Sequence, residues 1–277
     1  SMQQYVDLVN RVLREGEPRA DRTGVGTLAV FGGRIEFDLR ERFPLVTVKE
    51  TRWKTAFLEM LWFLRGETNT EYLHQHGCTL WDAWADGRGN LGPVYGVQWR
   101  EWPVAKRRNI GEWSVPDSDI DQVALLIDGI KNNPQGRRHI VSAWNVAELD
   151  DMALPPCHWA FQCYVSNSGE LDMQVNQRSW DLALGAPFNI AQYALLLTLL
   201  ARATGLEPRK LAFAFGDAHL YQNHVEAMRE VVQRPLLYDL ATLAICTDNR
   251  DIDRYVLDDF QVLGYLPHPF VKLDVAV

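Results

Sequence analysis

The chain opens with apolar residues at helical spacing, in the stretch "QYVDLVNRVL". Residues three and four apart lie on one face of a helix, so this stretch predicts an amphipathic helix that ends near Gly16. A nearly all-apolar stretch, Thr55 to Leu64, predicts a buried helix with a single carboxylate, Glu59, at its middle. Similar reasoning predicts a helix over "QVALLIDGIKNN", ended by Asn and Pro134, and a buried helix from about Asn189 to Thr204.

Between these helices the apolar period changes to the alternation that is typical of strands. Glycines and threonines introduce short alternating runs in "DRTGVGTLAVFGGRIEFDL", and the polar segment from Arg107 to Asp119 reads as a surface excursion. Further strands are predicted at "RRHIVSAWN", "WAFQCYVSN", "ELDMQVNQRS" and "KLAFAFGDAHL". Because helices and strands are mixed without a regular βαβ repeat, the pattern predicts an α+β arrangement, with helices packed over one sheet.

Size and charge narrow the class of protein. The 277 residues, 47% of them hydrophobic, predict one globular domain over residues 1–277. A net charge of −8 argues against a dedicated nucleic-acid binder but leaves room for a small anion held by a few arginines. The longest apolar run, "ALLLTLLA", is too short to span a bilayer.

The four cysteines show no spacing typical of a disulfide framework or a metal site, so we expect no metal and a reducing, cytoplasmic location. Cys157 stands out because it precedes His158 in "ALPPCHWAF". The residues alone allow two interpretations, a nucleophile or a small core residue. Glu59 is equally open: a buried charge needs partners or a shifted pKa, whether it serves structure or catalysis.

One turn, "RSWDLALGAPFN", gathers an arginine, a hydroxyl, a carboxylate and a carboxamide. These groups suit a phosphate, a ring N–H and the edge of a base. Taken alone, this stretch also fits an ordinary polar turn, and Arg22, Arg137 and Arg138 also fit ordinary surface charges.

Taken together, these motifs resemble the thymidylate synthase family over essentially the whole chain. The resemblance is carried, in order, by "DRTGVGTL", "FPLVTVK", "EMLWFLRGETN", "LWDAWAD", "LGPVYGVQWR", "RRHIVSAWN", "LPPCHWAFQ", "QRSWDLALGAPFNIAQYALL", "GDAHLYQNH" and "GYLPHP". It implies a single three-layer α/β domain with a mixed sheet and packed helices, which pairs sheet to sheet in a homodimer.

The resemblance also implies dUMP as substrate and 5,10-methylenetetrahydrofolate as co-substrate. Cys157 would add to C6 of the uracil ring, so that C5 can attack the folate methylene. The substrate-binding residues that it implies are Arg22, Arg178 and Ser179 for the phosphate, Arg137 and Arg138 from the partner subunit, Asn189 for the base, and His219 with Tyr221 for the sugar.

The remaining implied roles concern proton transfer and the folate. Glu59, linked through water to His158, would shuttle protons, and Tyr95 would assist removal of the C5 proton. Arg178, Asn189 and Asp181 complete the implied catalytic set. The implied folate-side residues are Lys49, Trp81, Trp84, Asp181, Gly185, Phe188 and Ala276, the last in a C-terminal lid.

Four positions depart from the common family pattern: Asn176, Phe215, Trp159 and Arg52. We expect them to alter the walls of the pocket. They matter because a sister activity, pyrimidine hydroxymethylation, differs only in capturing the methylene intermediate with water instead of hydride. Asn176 weakly favours that alternative, whereas Asn189 favours uracil over cytosine, and the complete lid favours methylation.

Two other classes of protein stay open. A Cys-His hydrolase would pair Cys157 with His158, but neighbouring residues on a strand point to opposite faces. A catalytically silent nucleotide-binding or RNA-binding protein would keep the pocket without turnover.

Overall fold

A computed structural model describes residues 2–104, 106–109, 112–114, 118–237 and 240–277. Of the surface excursion predicted from Arg107 to Asp119, residues 110, 111 and 115–117 lie outside the described ranges. The helices of the described part are α1 (Gln3–Glu15), α2 (Trp53–Leu64), α3 (Glu71–Gln75), α4 (Tyr95–Arg100), α5 (Gln122–Asn132), α6 (Gly185–Thr204) and α7 (Val225–Val231). Its strands are β1 (Glu17–Arg19), β2 (Thr27–Asp38), β3 (Lys106–Asn109), β4 (Glu112–Ser114), β5 (Ile140–Ser142), β6 (His158–Val165), β7 (Glu170–Asp181), β8 (Glu207–Tyr221), β9 (Thr242–Ile245) and β10 (Phe260–Leu263).

Six strands form the main sheet in the order β1-β2-β8-β7-β6-β5. Every neighbouring pair is antiparallel except β7 and β8, which run parallel because α6 crosses between them. The carboxyl ends of β7 and β8 therefore meet at one edge, where Asp181 pairs with His219 and Ser179 with Asp217. The first residue of β2, Thr27, pairs with Tyr221 at the same edge. The loop before β2 is thus brought to the ends of β7 and β8.

The core lies between this sheet and the helices. Helix α6 packs on β7 and β8, and α2 packs on α6, so sheet, α6 and α2 follow one another in layers. Both helices are almost entirely buried, as their apolar runs predict. The opposite face of the sheet carries alternating residues that stay exposed, among them Phe31, Ile140 and Tyr164. The predicted α+β class with a mixed sheet and packed helices is confirmed.

Element boundaries differ from the predictions in two places. Helix α6 begins at Gly185, four residues before the predicted start, since the turn at Asp181 leads directly into it. Strand β5 is shorter than the predicted "RRHIVSAWN". It is an edge strand that pairs only with β6, and the Asn145 side chain accepts a hydrogen bond from the Ala147 amide and starts a 3-10 turn. Within the described residues, the helices are too short or too polar for one of them to cross a membrane.

Candidate active site

The half-buried Cys157 lies immediately before β6, with its backbone tied to two neighbouring elements. Its amide donates a hydrogen bond to the Tyr95 hydroxyl at 2.8 Å, and its carbonyl accepts one from the Arg178 amide at 2.9 Å. Burial raises the pKa of its thiol, while the positive charges of Arg178 and Arg22 oppose the rise. A hydrogen bond from the Ser179 side chain acts in the same direction as the two arginines. Three residues of the predicted site, Arg178, Arg22 and Ser179, thus act on one sulfur atom.

The two prolines that precede Cys157 hold Arg178 beside the cysteine sulfur. The guanidinium donates to the Pro156 carbonyl at 2.7 Å through Nε and to the Pro155 carbonyl at 3.0 Å through Nη2. In this position Nη2 lies 4.0 Å from the Cys157 Sγ, and the guanidinium lies over the Trp144 ring. Since a nearby cation favours the thiolate, the proline pair places the charge where a nucleophilic cysteine needs it.

His158 points to the opposite side, into the core. Its ring stacks on Tyr95 at a centroid distance of 4.1 Å, and its Nδ1 lies 2.5 Å from the Tyr193 hydroxyl. Burial lowers the pKa of His158 to about 3, so its imidazole is neutral at physiological pH. A neutral ring on the far face of the strand is badly placed to deprotonate Cys157, which argues against the hydrolase alternative.

Glu59 is buried at the middle of α2 and accepts hydrogen bonds on both carboxylate oxygens. The Trp81 indole donates to Oε2 at 2.9 Å, and the Gln192 amide donates to Oε1 at 2.5 Å. Burial raises the pKa of Glu59 to about 6, and the two hydrogen bonds limit the rise. A carboxyl group with a pKa in this range can both take up and release a proton near neutral pH.

Asn189, in the first turns of α6, is buried and firmly held. Its Oδ1 accepts from the Trp180 indole at 3.2 Å and from Gln177 Nε2 at 3.3 Å, and its Nδ2 donates to Gln192 at 3.2 Å. The Oε1 of Gln177 is buried without a hydrogen-bond partner. A carboxamide fixed in this way presents a remaining N–H donor in a defined direction.

A second cluster of polar side chains lies at the sheet edge where β7 and β8 end. His219 Nδ1 donates a hydrogen bond to the Asp217 carboxylate at 3.0 Å. Burial lowers the pKa of His219, but this hydrogen bond and the charge of Asp181 raise it by more. Burial and the charges of Asp181 and Asp21 raise the pKa of Tyr221 to about 12. Asp21 shapes the loop that carries Arg22 by accepting hydrogen bonds from the amides of residues 23 and 26.

Two of the predicted folate-side residues, Lys49 and Gly185, lie near Asp181. Lys49 is buried, and burial lowers its pKa to about 8 although the Asp181 charge raises it. A Cβ at Gly185 would meet the Asp181 Cβ at 3.5 Å, so Gly185 lies against the same carboxylate. Trp84 contacts Trp81 edge to face at 6.1 Å. Phe188 is half-buried at the start of α6 and packs against the core.

Ala276 lies in a C-terminal tail that is attached at several points. His224 Nε2 donates to the Asp274 carbonyl at 2.6 Å, and the His268 amide donates to the Thr47 carbonyl at 2.8 Å. The Arg52 guanidinium lies 4.3 Å from the centre of the Phe270 ring. Beyond Asp274 the chain is largely exposed, with Val275 and Val277 more than half accessible.

Arg137 and Arg138 are not brought to this site within the chain. Both are exposed and precede β5, which runs antiparallel to β6. Since Ile140 pairs with Gln162, they lie near the far end of β6, roughly 15 Å or more along the strand from Cys157. Their predicted role in a partner's site stays a prediction.

The four departures take different positions. Asn176 pairs with Ala160 and lies on the same side of β7 as Arg178, and Trp159 is one-third exposed on β6. Phe215 is buried, covers Gly33 and packs against the Trp180 ring at 5.7 Å. Arg52 contacts the tail, as described above. Phe215 is therefore linked to Asn189 through Trp180, and Arg52 contacts the tail that carries Ala276.

Three contributors were missed from the sequence: Gln192, Trp180 and Tyr193. Gln192 carried a usable signal, since it is a polar side chain in an apolar helix, three residues after Asn189 and hence on the same helical face. Trp180 and Tyr193 carried none, because apolar context predicts plain core positions for them.

The family model described as thymidylate synthase matches residues 3–277. Among the described residues, no group of three or more His, Cys, Asp or Glu side chains could hold a metal ion.

Proposed function

The chain belongs to the thymidylate synthase family, and we propose that it methylates dUMP at C5, giving dTMP and dihydrofolate. The family implies folate-dependent one-carbon transfer to C5 of dUMP by an enzyme of the methyltransferase type. The observation that carries the proposal is the convergence of Arg178, Arg22 and Ser179 on the Cys157 thiol. We propose that residues 1–277 act as one catalytic domain.

In the proposed mechanism the two arginines have a double task. Arg22, Arg178 and Ser179 bind the phosphate of dUMP, and the arginines also favour the Cys157 thiolate. The thiolate adds to C6 of the uracil, and the electron pair of the C5–C6 bond moves toward C5 and O4. The free N–H of Asn189 stabilises the negative charge on O4.

Proton transfer falls to Glu59 and Tyr95. With a pKa of about 6, Glu59 can supply and retrieve a proton at the substrate carbonyl side of the pocket. The Tyr95 hydroxyl accepts a hydrogen bond from the Cys157 amide and lies near the thiol. In this position it can assist removal of the C5 proton. His219 and Tyr221 bind the sugar hydroxyl.

The residues present fit a folate. Asp181 Oδ1 accepts the amides of Ala183 and Leu184, whereas no group of the described residues bonds to its Oδ2, which suits a pterin N–H. We propose that Lys49, Trp81, Trp84, Gly185, Phe188 and Ala276 complete this side of the pocket. The folate supplies the methylene group and, in methylation, the hydride.

We also propose that the molecule works as a homodimer joined through the open face of the sheet. Phe31 is 83% exposed there, and Tyr164 is 62% exposed. Such large apolar side chains on a flat sheet face are typical of an interface. Pairing of two such faces would carry Arg137 and Arg138 of each subunit toward the other subunit's Cys157.

The test of methylation is incubation of the protein with dUMP and methylenetetrahydrofolate, followed by measurement of folate absorbance and nucleotide mass. We expect dTMP and dihydrofolate in equal amounts. Hydroxymethyl-dUMP without dihydrofolate would instead identify the hydroxymethylase, and binding without turnover would identify a silent nucleotide binder.

The variant Cys157→Ser tests the nucleophile. We expect it to bind dUMP but to lose the release of tritium from C5 by about a thousandfold or more, because a serine hydroxyl is scarcely ionised at neutral pH. The matched control is Cys246→Ser, which removes an exposed thiol elsewhere in the chain. Equal turnover in Cys157→Ser and the control would contradict the proposal.

A further inference from the structure

A line of buried polar side chains joins Asn189 to Glu59 through Gln192. The Gln192 side chain has no solvent exposure. Its Oε1 accepts from Asn189 Nδ2 at 3.2 Å, and its Nε2 donates to Glu59 Oε1 at 2.5 Å. One glutamine thus contacts both the side chain assigned to the base and the carboxylate assigned to proton transfer.

Two indole groups fix the direction of every bond in this line. An indole N–H can only donate, so the Trp180 contact requires the oxygen of Asn189 to face Trp180 and its NH₂ to face Gln192. Gln192 must then turn its oxygen to Asn189 and its NH₂ to Glu59. At the other end Trp81 donates to the second oxygen of Glu59. Reversal of either amide would oppose two donors, which is costly in a buried site.

We propose that Gln192 is a positioning residue for the reaction, which holds the Glu59 carboxylate ionised and ties its orientation to that of Asn189. This inference rests on the proposed function. A hydrogen bond donated to a buried carboxylate stabilises its charged form. With the Trp81 bond, the bond from Gln192 opposes the rise in pKa that burial alone would cause. Among the described residues, the other ionisable groups that interact with Glu59 are Tyr95, Tyr193 and Cys78, and the pKa of each is raised, so all three are neutral near pH 7. Gln192 and Trp81 are therefore the groups that oppose the effect of burial on Glu59.

The test is the variant Gln192→Met, which keeps the length of the side chain and removes both its donor and its acceptor. The matched control is Thr198→Val, which removes a hydrogen bond to the Ala194 carbonyl on the same helix without touching the line. Difference infrared spectroscopy of the protonated carboxyl group, with Glu59→Gln as the reference, gives the titration midpoint of Glu59 in each protein.

We expect the midpoint to rise by about one pH unit in Gln192→Met, because a hydrogen bond to a charged group has about that strength. It should stay in place in Thr198→Val. The acid limb of the pH profile for tritium release from dUMP should move up with it. An unmoved midpoint would overturn the proposal, and so would a moved midpoint with an unmoved acid limb.

A second variant and the infrared measurement cover failure of folding and failure of turnover. If Gln192→Met does not fold, Gln192→Glu keeps the shape, replaces the donor with a second carboxyl group, and should raise the midpoint in the same direction. If the unaltered protein releases no tritium, the proposed function fails. The infrared midpoints then still decide whether Gln192 sets the protonation of Glu59.

Discussion

Burial shifts the pKa values of two ionisable side chains of the site, His158 and Glu59, in opposite directions. His158 has no charged partner among its contacts, and burial lowers its pKa to about 3, so it works as a neutral, stacked ring. Glu59 is equally buried but receives two hydrogen bonds, which keep its pKa near 6. Burial disfavours the charged form of both side chains, so it lowers the pKa of the base and raises the pKa of the acid, and only Glu59 is left with a pKa close to neutral pH.

The raised pKa of Glu59 should make the free energy of unfolding depend on pH. The pKa of Glu59 in the folded state, about 6, lies above the ordinary value near 4.5, so the folded state binds this proton more tightly than the unfolded state. The resulting stabilisation is complete below about pH 4.5 and is lost as the pH rises through 6. Relative to Glu59→Gln, the unaltered protein should lose about 1 kcal/mol between about pH 5 and pH 7.5.

Urea unfolding at the two pH values, at one protein concentration, measures this difference. The fixed cost of placing an amide against two donors cancels, because it is present in Glu59→Gln at both pH values. Titration of His158 also cancels, because both proteins contain it. A difference that is independent of pH would show that the Glu59 pKa is not raised in the folded protein.

Among the elements, the long buried ones follow directly from the sequence. Apolar runs predict α2 and α6, and alternation predicts β7 and β8, because burial of one or both faces leaves a clear period. Short or one-sided elements are less well predicted. Strand β5 shortens because it has a neighbour on one side only, and α6 starts early because the Asp181 turn feeds into it.

The C-terminal tail is the element whose function is most directly testable. Its anchors, the Asp274 carbonyl bonded to His224 and the Phe270 ring beside Arg52, precede the last three residues. Deletion of residues 275–277 should therefore leave dUMP binding intact and lower turnover by about tenfold or more, since a lid acts by excluding water from the reacting groups.

Calorimetric titration with dUMP and the tritium-release rate separate these two effects. Lys272→Ala, a change at an exposed tail position before the deletion, is the matched control and should leave both unchanged. Equal loss of dUMP affinity and turnover would mean that the tail supports the fold and is not a lid.

Across the whole molecule, the limits of sequence reasoning follow from distance along the chain. The resemblance brought Cys157 and Arg178 together, and the structure shows how Pro155 and Pro156 hold them. The bond between Glu59 and Gln192 joins residues 133 positions apart. No local pattern contains such a pair, and only the packing of α2 on α6 creates it.

Sharing of each active site between two subunits can be tested by mixing two inactive variants. If each active site takes Cys157 from one subunit and Arg138 from the other, Cys157→Ser and Arg138→Ala should each be inactive as homodimers. In a mixed dimer one site receives both defects and the other none, so one site of the two is intact. Random exchange at equal amounts makes half of the dimers mixed, and activity should return to about a quarter of the unaltered level.

Subunit exchange under mild denaturant, followed by the tritium-release rate, measures this recovery. Sedimentation velocity should first show a particle of twice 31.7 kDa. Phe31→Asp should halve that mass because it places a charge on the open face of the sheet. Val256→Asp, at an apolar position outside the sheet that is also more than half exposed, should not. No recovery in a mixture of proven dimers would mean that Arg138 does not act across the interface, and that each site is complete within its own chain.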